Sequence, residues 1–231
     1  MAAEHLFETS PQLASALAQS IAGDLRAAIA ARGKASLVVS GGRTPAVMFA
    51  ALAQQSLAWN KVWITLADER WVDAHHADSN EALVRRTLLQ HHAAAAHFVS
   101  LKNAAANAKD GEAECEKNIL AMPRPFDVVV LGMGDDGHFA SLFPQAPQIS
   151  RGLDHANKNL CIAVDPITAP HARMSLTLSA LLNSRRIVIQ LAGEGKWKVY
   201  QRALKAGVEK ELPIRAVIQQ TETVVQVYFS K

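Results

Sequence analysis

The sequence predicts an α/β protein with a mostly parallel sheet and helices on both faces. Two observations support this fold class. Short apolar runs typical of buried strands alternate with longer segments whose apolar residues recur at helical spacing. Several of these runs end in glycine-containing turns that lead straight into a helical segment, as they do in βα units. No repeat, low-complexity tract or linker interrupts the pattern, so we expect one domain over residues 1–231.

The first half of the chain contains clear helix boundary signals. Gly33 is expected to end the first helix, because glycine readily adopts a left-handed C-cap conformation. Thr44 is expected to be an N-cap, with Pro45 at the first helical position. Asp78 and Glu81 have the spacing of a capping box. The pattern predicts a helix over 11–31, a strand over 37–39, a helix from 44 to about 58, a strand over 62–66, a helix from 78 to about 90 and a strand over 97–101.

The second half continues the alternation of strands and helices. Met174, Leu176 and Leu178 alternate with polar neighbours, which is typical of a half-buried strand. A later helix is expected to carry Lys196 in its first turn and to stop at Gly207. The pattern predicts a helix over 103–121, strands over 128–131, 160–164, 174–178 and 187–191, the helix with Lys196, and a last strand over 224–228.

Composition excludes several classes of function. Hydrophobic residues make up 49% of the 231 residues, and no apolar run approaches the ~18 residues of a membrane span. The net charge is only +3, without the clustered lysines and arginines of a nucleic-acid surface, which favours a small anionic ligand. Cys115 and Cys161 lack metal-ligand spacing and are expected to be reduced and structural. The amino terminus lacks the basic region of a signal peptide, so we expect a cytoplasmic protein.

The stretch 127–144 carries the strongest functional signal. Four apolar residues, expected to form a buried strand, lead into a turn with three glycines, two aspartates and a histidine. The turn matches the G-x-G-x-x-G dinucleotide fingerprint, but Asp135 and Asp136 would lie where a pyrophosphate needs bare N–H groups, and Pro144 ends any following helix early. Asp136 is instead expected to fix the tautomer of His138, which leaves the other ring nitrogen to move a proton. The alternative is a capping aspartate beside a surface histidine.

Three other parts of the chain are candidates for a functional role. Residues 40–45, Ser-Gly-Gly-Arg-Thr-Pro, predict a glycine turn and a helix start, where free N–H groups and the helix dipole attract anions. An ordinary tight turn is the alternative. Residues 68–70, Asp-Glu-Arg, also follow a predicted strand, although a solvated charge cluster would look the same. Lys196 is unfavourable at a helix amino terminus by about 0.3–1 kcal/mol unless it meets an anion, so it is a phosphate-ligand candidate.

The pairs His75-His76 and His91-His92 do not predict a metal site. Adjacent side chains on a helix or strand point in different directions, so neither pair presents two ligands on one face. We therefore expect these histidines to be ordinary surface residues and predict no bound metal.

Taken together, these segments resemble the 6-phosphogluconolactonases of the pentose phosphate pathway. The shared motifs run through most of the chain in the family's order, and the central one is highly specific. They are Ser-Gly-Gly-Arg-Thr-Pro at 40–45, Asp-Glu-Arg at 68–70, Ser79-Asn80, Gly-x-Gly-x-Asp-Gly-His-x-Ala-Ser-Leu-Phe-Pro at 132–144, Arg173-Met174 and Gly-Glu-x-Lys at 193–196. The family's fold is similar to that of glucosamine-6-phosphate deaminases and ribose-phosphate isomerases.

The resemblance implies an enzyme that hydrolyses 6-phospho-D-glucono-1,5-lactone without a metal or organic cofactor, and without nucleic acid, membrane or an obligate protein partner. On this hypothesis His138 is the general base on water, Asp136 orients it, and backbone N–H groups of Gly134 and Gly137 receive the oxyanion. The resemblance also implies Asp68 as a catalytic residue on the sugar side and Arg70 at either the sugar or the phosphate. The other residues expected to bind the substrate or its phosphate are Gly41, Gly42, Arg43, Thr44, Asn80, Arg173 and Lys196.

Two alternatives remain at this point. The deaminases share the glycine turn and the Asp-Gly-His loop, but they place a glutamate shortly after the histidine, within Phe-Asn-Glu-Pro. In this chain Phe143 occupies that position, which favours the lactonase. The second alternative is a sugar-phosphate sensor that binds 6-phosphogluconate without turnover, and the intact Asp136 and His138 argue against it.

Overall fold

The computed structural model describes residues 2–231, and its main feature is a seven-stranded sheet in which every pair of neighbouring strands is parallel. The strands are β1 (Ala3–Phe7), β2 (Ala35–Val39), β3 (Val62–Leu66), β5 (His97–Val99), β6 (Val128–Leu131), β9 (Arg186–Ala192) and β10 (Val224–Ser230). Their order across the sheet is β1-β10-β9-β6-β2-β3-β5. The central strands β2 and β6 are buried at every residue, which explains why they appear as continuous apolar runs.

A second, three-stranded sheet is antiparallel. It consists of β4 (Asp68–Arg70), β7 (Cys161–Val164) and β8 (Arg173–Leu176), in the order β4-β8-β7. The N–H of Leu176 donates to the carbonyl of Ala67 (2.8 Å), the residue between β3 and β4, so the two sheets are joined at that point. The sequence did not predict β4, because three residues of which all are charged lack the apolar pattern of a strand.

Eight α-helices connect the strands. They are α1 (Ser10–Arg32), α2 (Arg43–Ala53), α3 (Asn80–Thr87), α4 (Ala108–Leu120), α5 (Ile149–Gly152), α6 (Leu178–Leu182), α7 (Glu194–Ala203) and α8 (Ile214–Ile218), counted over residues 2–231. Helix α1 packs on β2, β6 and β10, while α4 packs on the small sheet. This α/β architecture with a mostly parallel sheet confirms the predicted fold class. None of the helices within this part of the chain is long and apolar enough to cross a membrane.

Several predicted boundaries were wrong for identifiable reasons. Thr44 is not an N-cap: α2 begins at Arg43 after Gly42, whose φ of 114° places it in a region that favours glycine. Asp78 is not a cap either, since Ser79 accepts the N–H of Ala82. The predicted strand at 174–178 ends at Leu176, because Thr177 caps α6.

Helix ends differ as well. Helix α4 begins five residues later than predicted, because Asn103 accepts the N–H of Ala105 in a turn and Asn107 caps the helix. Helices α2, α3 and α7 end earlier than predicted. The sequence also missed β1 and the short helices α5, α6 and α8. Cys115 and Cys161 are free, buried thiols, on α4 and β7 respectively.

Candidate active site

A cavity of about 340 Å³ opens at the carboxyl edge of the large sheet, where this edge meets the small sheet. The turns that follow β2, β6 and β9 all reach this edge, because the three strands are parallel neighbours. In open α/β sheets, ligands bind in the crevice outside the carboxyl ends of the strands. The lining residues are Ser40, Gly41, Asp68, Arg70, Asn80, Gly132, Met133, Gly134, His138, Ala140, Phe143, Ala169, Arg173 and Lys196.

Residues 132–144, which we call the histidine loop, place an imidazole at the cavity. Nδ1 of His138 lies 2.6 Å from Oδ1 of Asp136, and the same oxygen accepts the backbone N–H of His138 at 3.1 Å. The turn is tight enough to require glycine: a Cβ on Gly134 would lie 2.2 Å from the His138 ring, and Gly137 has a φ of +80°. Asp136 does not line the cavity; it lies behind the imidazole and orients it.

The electrostatics of this pair favour an ionised Asp136. Burial alone would raise the pKa of this carboxyl, but the hydrogen bond and charge of His138 outweigh burial and hold the pKa below its ordinary value. A carboxylate accepts the Nδ1 proton of a neutral imidazole, so the lone pair is on Nε2. Nε2 has no hydrogen-bond partner within residues 2–231. The arrangement can therefore take a proton from a molecule in the cavity.

The backbone of the histidine loop is less available than the sequence suggested. The N–H of Gly134 donates to the carbonyl of His138 (2.9 Å), and the N–H of Gly137 donates to the carbonyl of Gly134 (3.0 Å). These two N–H groups close the turn, so they are not free to receive an oxyanion. The prediction that they are oxyanion donors does not fit this geometry.

An aromatic ring covers the imidazole on one side. The ring centroids of Phe143 and His138 are 4.2 Å apart, and the guanidinium of Arg173 lies 5.9 Å from the Phe143 centroid. Phe143 is 6% exposed. The position where the deaminase motif carries a glutamate is thus filled by a buried apolar ring, which leaves no carboxylate from residue 143 beside His138.

The opposite side of the cavity comes from the small sheet. Arg70 and Arg173 face each other across the β4–β8 pair, and Asp68 lies on the same face of β4 because side chains alternate along a strand. We call the surface formed by Asp68, Arg70 and Arg173 the arginine wall. Oδ2 of Asp68 accepts a hydrogen bond from Oγ of Ser141 at 2.5 Å, which connects the arginine wall to the histidine loop.

Backbone carbonyls hold both arginines in place. Arg70 donates to the carbonyl of Asp78, and Arg173 donates to the carbonyls of Pro170 (3.0 Å) and His171 (3.3 Å). Arg173 is only 5% exposed, and its burial lowers the pKa of the guanidinium, as does the charge of Arg70, while Asp68 acts in the opposite direction. Two close, partly desolvated cations favour an anionic ligand between them.

Two buried polar atoms beside the cavity have no hydrogen-bond partner within residues 2–231. They are Nε of Arg70 and Oγ of Ser40. Buried polar groups are nearly always hydrogen-bonded, so unpaired ones that line a cavity indicate where a ligand bonds. A third cation, Lys196, lies in the first turn of α7, where its Nζ donates to the carbonyl of Met133 (2.7 Å).

Asn80 and Gly41 fit each other closely. Nδ2 of Asn80 donates to the carbonyl of Asp68 (2.9 Å), and its Oδ1 would lie 1.9 Å from a Cβ on Gly41. Only glycine allows this approach, which is why the turn after β2 needs it at residue 41.

The structure brings together most of the predicted site residues, but not all of them. Gly42 and Arg43 line a neighbouring cleft, which shares Arg70 and Asn80 with the cavity. Thr44 lines neither. The amino end of α2 has no side-chain cap, so its first N–H groups still form the kind of terminus that attracts anions.

Sequence reasoning missed some residues that shape the site. Ser141, Ala140 and Ala169 carried no signal of their own, because small residues in loops are common. In the sequence Glu69 is only the middle residue of a charged run. In the structure its carboxylate accepts the N–H groups of Asn80 (2.8 Å) and Glu81 (2.7 Å) and the hydroxyl of Ser79 (3.0 Å). Glu69 thus anchors α3 to β4.

Comparisons with known proteins agree with the fold and with the motifs. Residues 8–226 match the family model described as glucosamine-6-phosphate isomerases/6-phosphogluconolactonase. The chain is 44% identical to a 6-phosphogluconolactonase of Pseudomonas putida over 93% of this chain and 88% of that protein. It is 47% identical to the crystal structure of a 6-phosphogluconolactonase from Shewanella baltica, with a TM-score of 0.98, covering 100% of this chain and 98% of the other.

A more distant structure shows the fold alone. A monomeric glucosamine-6-phosphate deaminase of the NagB superfamily is 16% identical, with a TM-score of 0.80 over 99% of this chain and 97% of that one. Proteins named as a lactonase and as a deaminase therefore share this fold. The side chains of the site, not the fold, must distinguish the two activities. The chain belongs to the family of glucosamine-6-phosphate isomerases and 6-phosphogluconolactonases.

Proposed function

We propose that this protein hydrolyses 6-phospho-D-glucono-1,5-lactone to 6-phosphogluconate, a step of the oxidative pentose phosphate pathway. One observation carries the proposal: a single cavity is lined on one side by His138, which Asp136 orients from behind, and on the others by the cations Arg70, Arg173 and Lys196. A base and a phosphate site are what a phosphorylated lactone requires. Relatives that match nearly the whole chain bear the name 6-phosphogluconolactonase, which supports the same substrate.

In the proposed mechanism, Nε2 of His138 takes a proton from water while the water oxygen attacks the lactone carbonyl carbon. The bond between that carbon and the ring oxygen then breaks, and the imidazolium returns its proton to the ring oxygen. Asp136 keeps the Nδ1 proton in place and stabilises the imidazolium, and its lowered pKa keeps it ionised for this role. A lactone is an activated ester, so these reaction steps need neither a metal nor an organic cofactor.

The arginine wall is proposed to orient the substrate. Arg70 and Arg173 would hold the 6-phosphate together with Lys196, while Asp68 and Asn80 would face the sugar hydroxyls. Nε of Arg70 and Oγ of Ser40 provide donors that have no other partner within residues 2–231. The uncapped start of α2, with Gly41 and Gly42, would add backbone N–H groups.

Some assignments change from those expected of the sequence. Because the Gly134 and Gly137 N–H groups bond within the loop, we no longer assign the developing oxyanion to them. Arg43 and Thr44 lie outside the cavity, and we no longer place their side chains on the phosphate.

An amino-sugar deaminase is the competing function, since the fold is shared with one. The buried ring of Phe143 argues against it, because the glutamate of the deaminase motif is missing at this position. A sensor that binds without turnover is the other alternative, and an oriented, available imidazole in the cavity argues against it. We further propose that the enzyme acts in the cytoplasm and needs no obligate protein partner.

A coupled assay that generates the lactone in situ tests the proposal. Acceleration above spontaneous hydrolysis is expected with the lactone, and no release of ammonia is expected with glucosamine 6-phosphate run in parallel. Turnover of the amino sugar without the lactone would establish the deaminase instead. Binding of 6-phosphogluconate without acceleration on either substrate would identify a sensor.

A further inference from the structure

Three potential metal ligands meet at the rim of the cavity, on two loops that are distant in sequence. Nε2 of His171 lies 3.0 Å from Oδ2 of Asp78, and Nδ1 of His76 lies 3.8 Å from the same oxygen. All three ligand atoms lie within 4.8 Å of one another, and the two imidazole rings are 5.5 Å apart at an angle of 77°. This cluster lies outside the residues assigned to the reaction.

The chemistry of the cluster matches a borderline-soft divalent cation. Zinc binds imidazole nitrogen and carboxylate oxygen at about 2.0–2.2 Å, so neighbouring ligands of a tetrahedral ion lie about 3.3 Å apart. The two distances of 3.0 and 3.8 Å bracket this separation. Two imidazoles and one carboxylate suit zinc, copper or nickel, whereas magnesium and calcium prefer sites made of oxygen alone.

One nitrogen already has the state that a metal ligand needs. The backbone N–H of Asp78 donates to Nδ1 of His76 at 3.1 Å, so this nitrogen carries a lone pair and the ring proton is on Nε2. A metal ion would replace that N–H as the partner of the lone pair. All three residues are exposed, so an ion can reach them from solvent.

We expected His76 to be an ordinary surface residue because its sequence neighbour His75 cannot bind the same ion. Adjacent histidines indeed do not converge, but the fold brings His171 to His76 from almost a hundred residues away. We propose that His76, Asp78 and His171 form a zinc-binding site that clasps the loops on either side of the cavity mouth.

The position of the clasp gives it a consequence for the arginine wall. The carbonyl of Asp78 holds Arg70, and the carbonyl of His171 holds Arg173. A bound ion would therefore fix the two backbone segments that position both arginines. The positive charges of these arginines oppose a cation nearby, and an anion bound between them would relieve that repulsion.

Calorimetric titration of the full chain with zinc chloride, after treatment with a chelator, tests the site. We expect one zinc ion per chain in the wild type, and affinity lowered at least about tenfold in His76→Ala and in His171→Ala. The matched control is His75→Ala, which removes an adjacent exposed histidine outside the cluster and should bind as the wild type does. Magnesium chloride should give no binding heat.

A second measurement separates lost ligation from lost folding. Zinc should raise the thermal unfolding midpoint of the wild type and of His75→Ala, but not that of Asp78→Asn, which keeps the backbone carbonyl that holds Arg70. Wild-type affinity in both His76→Ala and His171→Ala would overturn the proposal, as would the absence of zinc binding in the wild type. Loss of the zinc ion in His138→Ala, with retention in His171→Ala, would place it at the catalytic histidine and also overturn it.

Discussion

The two sides of the cavity are built in different ways. In the histidine loop, the reacting group and its orienting carboxylate are two residues apart, and a glycine turn alone brings them together. In the arginine wall, Arg70 and Arg173 are about a hundred residues apart, and they meet only because β4 pairs with β8. The proton-transfer group is therefore a local structure, whereas the binding groups depend on the whole fold.

The largest effect on catalysis is expected from a substitution in the histidine loop. His138→Ala should lower kcat for the lactone about 10²–10⁴-fold, because it removes the base, while KM should change little. The coupled assay, corrected for spontaneous hydrolysis, measures both constants. His92→Ala is the matched control, since this histidine is exposed and does not line the cavity. An unchanged kcat in His138→Ala would refute the mechanism.

The second prediction concerns what anchors the arginine wall. Glu69→Ala should lower the free energy of unfolding by about 2–3 kcal/mol, because the N–H groups of Asn80 and Glu81 lose their acceptor. Ser79→Ala, which removes only the local cap of α3, should cost about 1 kcal/mol. Urea denaturation measures both. If Ser79→Ala lowered the free energy of unfolding more than Glu69→Ala, the contact between Glu69 and α3 would not be the main support of the arginine wall.

The third prediction tests whether the arginine wall binds rather than reacts. Arg173→Met should raise KM about tenfold to a hundredfold, since a charge-assisted hydrogen bond contributes about 1.5–3 kcal/mol. Its kcat should change far less than that of His138→Ala. Arg202→Met, at an exposed arginine on α7, is the control. A loss confined to kcat would mean that Arg173 takes part in the chemistry and that the division between the two sides is wrong.

The smallest expected effect is a difference in how the stability contributed by each side depends on pH. The pKa of Asp136 is lowered because the hydrogen bond and charge of His138 outweigh burial, so its stabilisation is present above about pH 3.9 and is lost as pH falls through the lowered pKa. Burial raises the pKa of Glu69 despite the N–H groups of Asn80 and Glu81. Its contribution is therefore present below about pH 4.3 and is lost as pH rises through the raised pKa.

The two carboxyls should thus give opposite slopes. The stability difference between wild type and Asp136→Asn should grow as pH rises, and the difference between wild type and Glu69→Gln should shrink. Denaturant unfolding at several values between about pH 2.5 and pH 6 measures both differences. Slopes of the same sign would show that one of the two environments has been described incorrectly.

Much of the site could be predicted because its signals are local. The glycine spacing, Asp136 and His138 are within one turn, and the start of α2 and Lys196 on α7 each follow a strand directly. The fold class followed from apolar runs that are buried on both faces, since such runs have few other uses. The errors concentrated at helix ends, where Gly42, Ser79 and Asn107 competed with equally good neighbouring caps.

The sequence by itself determined the parallel sheet, the family motifs and the Asp136–His138 pair, because these depend on contacts within a few residues or on repeated patterns. Only the tertiary structure decided that β4 is a strand, that Glu69 holds α3, and that Phe143 covers the imidazole. It also decided that the Gly134 and Gly137 N–H groups are occupied and that His76 meets His171. The reason is physical: pairing between distant segments is set by the packing of the whole chain, and no short stretch of sequence encodes it.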